Sequence, residues 1–448
     1  MSKEISEELR GIASEKALSG KVSRALGIKS PGDRVNALSV CLQEVLERSS
    51  LCVCDNKFSG YEEGHFVMIG KEEMSTLLYN FMGDISILPS DASKLLQHCF
   101  FKIQGKRVRS SSNLMAFSNC VLNLDNGRVF DFSKQLLVSY KVDYPYDLDA
   151  KCPLWDKFLK RVLPDEGKRM VLQEYVGMIY LDRAKVSVEK ALFLLGGGAN
   201  GKSVIARTIK GIVGHQATTS FTPYQLTYSE YAVAETDGKR LNYCEEIDSR
   251  SEVTDKMKAI ISSEPIQARK PYGEYMSVRP PAMIFNLNEL PPMPDRSYGF
   301  WRRQIIIPFD VTIPPSQRDK TLSEKLKGEY PGIFQWAMRG LERLKRNNYE
   351  FTPCEGITRA VEDARMDNSP ILAFMDGCGY SPQATESSLP PEKMPVGNLA
   401  RQYYREYICC DEDPDKSEIV KFGRELSRLG YRKMKSNSIV YLIHKTSK

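Results

Sequence analysis

Short apolar runs alternate with longer helical or polar stretches in the middle of the chain. The runs are residues 191–195, 241–244, 282–285 and 304–308. A continuous apolar run of this length predicts a strand that is buried on both faces, and strands separated by helical stretches predict a parallel sheet. We therefore predict that residues 191–309 form an α/β unit built on a parallel sheet.

The flanking segments have a mostly helical pattern. Residues 1–70 are polar with periodic apolar positions, and residues 154–182 and 320–347 repeat apolar side chains at the spacing of a helix. Segment 115–131 differs, because it alternates around the turn signal Asp125-Asn126-Gly127 and so predicts a hairpin. The chain is thus predicted to be mixed and helical before the central unit and helical after it.

The charge balance adds little to this picture. The 448 residues carry a formal net charge of +6, which permits nucleic-acid binding but suits an ordinary enzyme equally well. No apolar run reaches the roughly 18 residues that a membrane span needs, and the N-terminus lacks the apolar segment of a signal peptide. We expect a protein that stays in the cytoplasm, where it is made, with no membrane partner.

The clearest candidate for chemistry is a glycine-rich loop directly after the first apolar run. It has the Gly-x-x-x-x-Gly-Lys-Ser spacing of a P-loop, whose backbone N–H groups cradle phosphates while the lysine reaches the β- and γ-phosphates and the serine binds Mg²⁺. The alternative is a glycine-rich turn without a ligand. The predicted nucleotide-binding residues are Gly196, Gly197, Gly198, Ala199, Asn200, Gly201, Lys202, Ser203 and Val204.

A P-loop needs a carboxylate at the end of a neighbouring strand, and Glu245 and Glu246 end the second apolar run. We expect Glu245, together with Ser203, to hold Mg²⁺ and Glu246 to polarise the attacking water as general base. The reverse assignment of the two carboxylates is open. So is a solvated acidic turn, because Asp248 follows closely.

The order of these motifs resembles the superfamily 3 helicase domain of satellite-phage primase-helicases, poxvirus uncoating NTPases and plasmid replication proteins. The similar segments are GGGANGKSV, RLNYCEEID, the block from KMKAIISSEPIQARKPYGEYMSV to MIFNLNELPP, and YGFWRRQIIIPF. Upstream, MAFSNCVLNL, CPLWDKFL and LQEYVGMIY resemble the domain that precedes this motor in primase-helicases. The resemblance implies an AAA+-like, ring-forming, hexameric ATP-dependent DNA helicase that travels 3′ to 5′ in the replication of a phage, plasmid or other mobile element.

The resemblance also implies roles for individual residues. Asn288 matches the sensor asparagine, with Asn286 as a rival, and Arg303 matches the arginine finger, with Arg302 as the less favoured alternative. The implied catalytic residues are thus Lys202, Glu246, Asn288 and Arg303. Lys270 falls at the tip of a hairpin that contacts DNA in the central channel, or else it is a solvated surface lysine. The implied DNA contacts of the motor are Lys258, Arg269, Lys270 and Tyr272.

The C-terminal residues are predicted to fold as two helices and a hairpin. Helices are expected at 396–408 and 417–429 and a strand at 438–444, after a linker at 381–395. This order resembles the winged helix that follows the motor in the family. Duplex contact through the basic side of the second helix and the wing is the functional interpretation, and an ordinary solvated basic face is the alternative. The candidate contacts are Lys421, Arg424, Arg428 and Lys433.

Five segments follow from these patterns. They are an N-terminal region of unknown role (1–110), a collar-like helical domain (111–185), the ATPase domain (186–345), a connector (346–395) and a winged-helix-like DNA-binding domain (396–448). The expected substrates and partners are ATP with Mg²⁺, single-stranded DNA, forked duplex and further copies of the chain in a ring. A separate primase or replisome protein is left open as a partner.

Two other functions compete with the helicase. One is an NTP-switched origin-binding initiator or ring scaffold that does not unwind processively, and strand displacement would separate it from a motor. The other is a P-loop kinase or small-molecule NTPase. The kinase is disfavoured because neither a lid nor a nucleoside pocket is apparent, and because the hairpin block and Arg303 have no use there.

Overall fold

The computed structural model describes residues 7–8, 11–12, 16–54, 57–70, 73, 107–108, 113–245, 255–271, 274–290, 298–383, 391–410, 412–435 and 439–445. Glu246 and Tyr272 lie outside these ranges. No helix within them is long and apolar enough to cross a membrane. The helices are α1 (Lys16–Leu26), α2 (Pro31–Arg48), α3 (Pro153–Val162), α4 (Glu166–Met178), α5 (Lys202–Val213), α6 (Pro223–Tyr228), α7 (Glu230–Glu235), α8 (Asp255–Ile261), α9 (Tyr298–Trp301), α10 (Leu322–Lys327), α11 (Tyr330–Arg346), α12 (Glu355–Asp367), α13 (Pro370–Gly377), α14 (Val396–Gln402) and α15 (Lys416–Arg428).

Short strands lie between these helices. They are β1 (Cys52–Cys54), β2 (Lys57–Glu62), β3 (His65–Met68), β4 (Arg107–Val108), β5 (Leu114–Ala116), β6 (Val121–Asn123), β7 (Val129–Phe130), β8 (Ala191–Leu195), β9 (Thr218–Thr219), β10 (Leu241–Cys244), β11 (Ile266–Arg269), β12 (Tyr275–Val278), β13 (Ala282–Leu287), β14 (Gln304–Pro308), β15 (Tyr380–Ser381), β16 (Glu392–Pro395), β17 (Arg432–Lys435) and β18 (Ile439–Lys445).

The central sheet is parallel throughout, and its five strands run in the order β14-β8-β13-β10-β9. Each residue of β13 is buried, because side chains from helices pack against both faces of the sheet. The prediction of an α/β unit with a parallel sheet is therefore confirmed. The edge strand β9 went unpredicted, because its two threonines form no apolar run.

One face of the central sheet is covered by segments that precede and follow the α/β unit in the chain. Buried side chains from Met115 to Ile357 form a single hydrophobic core that includes the inner side of α5. Within it α11 packs closely along α4: a Cβ on Gly340 would lie 2.3 Å from the Gln173 carbonyl oxygen. The segment before the P-loop thus shares its core with the central α/β unit, and the division at residue 185 stays a prediction.

A buried carboxylate ties the same helices together. Glu174 of α4 has no exposed surface, and it accepts hydrogen bonds from Arg343 Nε at 2.6 Å and from the Thr352 N–H at 2.9 Å. Arg343 also donates to the Met170 carbonyl oxygen at 2.9 Å. A buried charge is stable only when its oxygens are satisfied in this way. The pair therefore fixes the end of α11 and the following loop against α4.

We expect Gly340→Ala to reduce the free energy of unfolding by about 1–3 kcal/mol. The added methyl group would overlap the Gln173 carbonyl and push α4 and α11 apart. Gly397→Ala in α14 is the matched control, because no atom lies within 4 Å of its added Cβ. Urea unfolding measures both variants. Equal stability of the two would contradict the close approach of the helices.

The N-terminal part departs from the helical prediction. Among the described residues of 1–70, the helices end at Arg48, and β1, β2 and β3 follow. Glu63 and Gly64, with φ of 43° and 91°, make the turn between β2 and β3, so that this segment doubles back as a hairpin. The hairpin predicted around Asp125-Asn126-Gly127 is confirmed, since those residues join β6 to β7.

The C-terminal part has its own small core and an antiparallel sheet. The strands β16, β18 and β17 lie side by side in that order, and β15 pairs with the far end of β18. From α13 onward the chain therefore runs helix, strand, strand, helix, helix, strand and strand. The winged-helix-like character of this part stays a prediction. The predicted helix at 396–408 is α14 continued by a π-helical turn at Tyr403–Tyr407. The predicted connector 346–395 contains α12, α13, β15 and β16. Apolar side chains of α12 pack on the core of the central sheet, and those of α13 and β16 pack in the core of the C-terminal part.

Candidate functional site

The P-loop joins β8 to α5 at the carboxyl-terminal edge of the parallel sheet. Its backbone has positive φ at Gly196 (154°), Ala199 (61°) and Gly201 (91°). Glycine is also required by close neighbours, since a Cβ on Gly196 would lie 2.7 Å from the Phe309 carbonyl oxygen, and one on Gly201 would lie 2.9 Å from the Phe158 ring. The loop is thus a tight connection that ends at the amino terminus of a 12-residue helix, where backbone N–H groups attract anions.

Lys202 is held inside this loop. Its side chain is buried, and its Nζ donates to the Gly196 carbonyl oxygen, to the Gly197 carbonyl oxygen at 3.2 Å and to Asn200 Oδ1 at 3.2 Å. Burial lowers the pKa of Lys202 from its ordinary value. The ammonium group therefore lies where a P-loop lysine meets phosphate oxygens, with loop carbonyls as its present partners.

The segment after β14 supports the P-loop from the side. The Phe309 N–H donates to the Leu195 carbonyl oxygen at 2.7 Å, and the Ile313 N–H donates to the Ala199 carbonyl oxygen at 2.8 Å. The second bond holds Ala199, the non-glycine loop residue with positive φ. The strained loop conformation is therefore fixed by neighbouring backbone before any ligand binds.

The predicted magnesium ligands offer a suitable donor set. Ser203 is exposed in the first turn of α5, and Glu245 is exposed directly after β10. Only β13 separates β10 from β8, which places the ends of those two strands roughly 10 Å apart. Hydroxyl and carboxylate oxygens are the donors that Mg²⁺ prefers. The residues therefore fit the metal, while the position of Glu246 lies outside the described residues.

The two candidate sensor asparagines differ in their surroundings. Asn286 is buried in β13, and its Oδ1 accepts a hydrogen bond from Tyr243 Oη at 2.9 Å. Burial raises the pKa of Tyr243, so its hydroxyl stays a donor. Asn288 is exposed one residue beyond β13, at the edge that carries the P-loop. The side-chain oxygen of Asn286 is thus already hydrogen-bonded within the chain, and the sensor role of Asn288 stays a prediction.

The two candidate finger arginines lie at the opposite edge of the sheet. They directly precede β14, whose far end pairs beside the P-loop, and five strand residues span roughly 16 Å. The Arg303 side chain packs against its own chain. It is 12% exposed, and it contacts Ser262 Oγ at 3.0 Å and Glu189 at 2.8 Å. The Arg302 side chain is 48% exposed and contacts Glu189 at 2.7 Å. Neither guanidinium lies near the P-loop of its own chain.

The predicted hairpin exists, formed by antiparallel β11 and β12, and Lys270 directly follows β11. Arg269 forms an ion pair with Glu230 at 3.3 Å, and Lys270 forms one with Glu235 at 3.7 Å. Both acids belong to α7. Ion pairs this exposed contribute about 0–1 kcal/mol, so a phosphate group can displace them.

The other predicted DNA contacts are spread over the surface. Lys258 is half-buried on α8, and Tyr272 lies outside the described residues. In the C-terminal part Lys421, Arg424 and Arg428 are exposed on α15 beside a cleft of about 340 Å³, and Lys433 is exposed on β17. The α15 residues thus form one basic face, although Glu425 lines the same cleft and pairs with Arg428 at 3.4 Å.

Sequence reasoning missed Lys210 and Glu189. Lys210 Nζ lies 2.7 Å from Glu245 Oε1, and the Glu189 carboxylate contacts both candidate finger arginines. Neither residue belongs to a recognisable motif. The available signal for Lys210 was its position seven residues after Ser203, which places both side chains on the same side of α5.

Comparisons with known proteins find two regional similarities. Residues 90–164 match a family model described as "D5 N terminal like", and residues 194–303 match one described as "Family of unknown function (DUF5906)". The chain is 27% identical over 218 residues to "Putative helicase L207/L206" of Acanthamoeba polyphaga mimivirus. That match covers 46% of this chain and 22% of the mimivirus protein, so the chain spans about a fifth of that relative's length.

Among the solved structures that resemble the chain are two apo structures of the NrS-1 C-terminal region. The first has a TM-score of 0.48 and 12% identity, and it covers 91% of this chain and 99% of the other. The second has a TM-score of 0.47 and 12% identity, with the same coverage. The chain is thus similar in sequence to a viral protein named as a helicase, and membership of superfamily 3 stays a prediction.

Proposed function

We propose that this chain is an ATP-driven DNA helicase of superfamily 3 that acts as a ring in the replication of a virus, phage or other mobile element. The observation that carries the proposal is the arrangement of the sheet. The P-loop strand lies beside β13, the acidic strand β10 follows, and a basic hairpin is inserted between β10 and β13. A kinase has no use for that hairpin.

The proposed chemistry is ATP hydrolysis at the P-loop. Lys202 and the N–H groups at the start of α5 bind the phosphates, and Asn288 orients the attacking water. Glu246 takes the proton of that water as general base. Ser203 and Glu245 would hold Mg²⁺, which would supply positive charge against the phosphates. The exposed positions of Ser203, Glu245 and Asn288 at one edge of the sheet support these roles.

The place of the candidate finger arginines supports the proposed ring. Arg302 and Arg303 lie at the sheet edge opposite the P-loop, so each can serve only the nucleotide of a neighbouring copy. Hydrolysis then requires packed subunits and is coupled to their motion. A hexamer moving 3′ to 5′ is the form we propose from the family resemblance.

The proposed DNA contacts are the hairpin residues Arg269 and Lys270 for the single strand and the basic face of α15 for the duplex. A second function, a nucleotide-switched initiator or scaffold, is favoured by one observation. The two hairpin cations are already paired with Glu230 and Glu235, so they would have to leave these acids to hold a strand.

The test of the hairpin is Lys270→Ala set against Glu235→Gln. Loss of one phosphate contact is expected to weaken single-strand binding equally across sequences and to flatten its salt dependence by about one counterion. DNA-stimulated ATPase and unwinding should be lost, whereas basal ATPase persists. Glu235→Gln removes the competing acid, so it should strengthen binding instead. Fluorescence anisotropy over a salt series measures both variants. Wild-type unwinding by Lys270→Ala would rule out this hairpin as the grip.

A further inference from the structure

A second lysine of the P-loop helix holds the proposed metal-binding carboxylate. Lys210 Nζ lies 2.7 Å from Glu245 Oε1, near the carboxyl-terminal end of α5. The Lys210 side chain is only 16% exposed, and its ammonium lies 5.2 Å from the centre of the Tyr243 ring. Tyr243 is in turn anchored to Asn286 by a hydrogen bond of 2.9 Å. Lys210 is therefore fixed in place by the helix and by a buried ring.

Glu245 has more room to move than its partner. Its side chain is 45% exposed, and it stands directly after β10. Ser203 and Lys210 lie on the same side of α5, two turns or about 10 Å apart. The Glu245 carboxylate, which lies beside this side of α5, can approach either the Lys210 ammonium or a cation held near Ser203.

The Lys210 ammonium and a Mg²⁺ ion near Ser203 would compete for the Glu245 carboxylate. A magnesium ion coordinated through Ser203 and Glu245 would repel the Lys210 ammonium at this short range, and the ammonium in turn weakens the carboxylate as a ligand. We propose that Lys210 is a positioning residue that holds Glu245 before Mg²⁺–nucleotide binds and yields it to the metal on binding. This inference rests on the proposed nucleotide site, and it adds a competition between one side chain and Mg²⁺.

The competition has a direct readout in binding, apart from activity. A fluorescent, non-hydrolysable ATP analogue is titrated with MgCl₂ at fixed protein concentration, and the Mg²⁺ midpoint for nucleotide binding is recorded. Lys210→Met should lower that midpoint about two- to fivefold, the range expected for loss of a partly exposed ion pair. Lys210→Arg keeps a cation and should keep a midpoint near the wild-type value. Arg346→Ala, which removes an exposed cation at the end of α11, should change nothing.

The outcomes separate this inference from the proposed function. An unchanged or higher midpoint in a folded Lys210→Met protein overturns the competition, and so does the same shift in a Glu245→Gln background. Lys210→Gln gives the same readout if the methionine variant does not fold. Wild-type protein that binds no analogue at any Mg²⁺ concentration overturns both the inference and the proposed nucleotide site.

Discussion

Replacing Lys202 with alanine is expected to reduce the rate of ATP hydrolysis by about 10²–10³-fold, the loss typical of removing one group that stabilises charge in the transition state. Lys202 is the cation inside the P-loop, and its Nζ already lies among the loop carbonyls and Asn200. Phosphate release measured at saturating ATP and Mg²⁺ gives the rate.

Arg346→Ala is the control for this variant, because Arg346 is an exposed cation at the end of α11, outside the P-loop helix. It should hydrolyse ATP at the wild-type rate. Unfolding curves of the Lys202 variant must match those of the wild type, so that lost activity reports chemistry. A folded Lys202→Ala protein with normal turnover would show that the P-loop assignment is wrong.

Replacing Arg303 with alanine is expected to lower turnover on the order of 10³-fold while nucleotide binding and ring formation persist, because an arginine finger acts on the transition state. In this structure Arg303 contacts Ser262 and Glu189, and it would have to leave them at an assembled interface. Arg302 is the more exposed neighbour. Arg302→Ala is therefore measured beside it, and loss of activity in that variant alone would assign the finger to Arg302.

Mixed rings distinguish a finger acting between subunits from a structural arginine. Subunits with Arg303→Ala keep an intact P-loop, and subunits with Lys202→Ala keep an intact finger. Mixing them should restore part of the activity at interfaces where each supplies what the other lacks. Verified mixed rings without any rescue would contradict action in trans and would leave Arg303 as a residue that anchors Ser262 and Glu189.

The strands and the P-loop were predictable because their signals are local. Each strand of the central sheet except β9 is a mostly apolar run, since burial on both faces favours apolar side chains at nearly every position. The P-loop follows from glycines that the backbone requires at Gly196 and Gly201. The hairpin of β11 and β12 was predicted through family resemblance, because its residues lack a regular alternation.

The features that were not predictable depend on contacts between distant parts of the chain. The shared core of α4 and α11 rests on the approach of Gly340 to Gln173, which no local pattern records. The ion pairs of Lys210 with Glu245 and of Arg303 with Glu189 join residues brought together only by the fold. The helical interpretation of residues 1–70 was wrong beyond Arg48, because Glu63 and Gly64 form the turn of a β-hairpin in that part of the segment.

Strand displacement on a forked DNA duplex with a 3′ single-stranded tail tests the central claim most directly. Wild-type protein with ATP and Mg²⁺ should separate the strands, whereas Lys202→Ala, or wild-type protein with a non-hydrolysable analogue, should leave them paired. A fork with only a 5′ tail should be unwound poorly, because the proposed motor travels 3′ to 5′. Wild-type protein that forms rings with ATP and hydrolyses it but never separates the strands would contradict the helicase and favour the nucleotide-switched initiator.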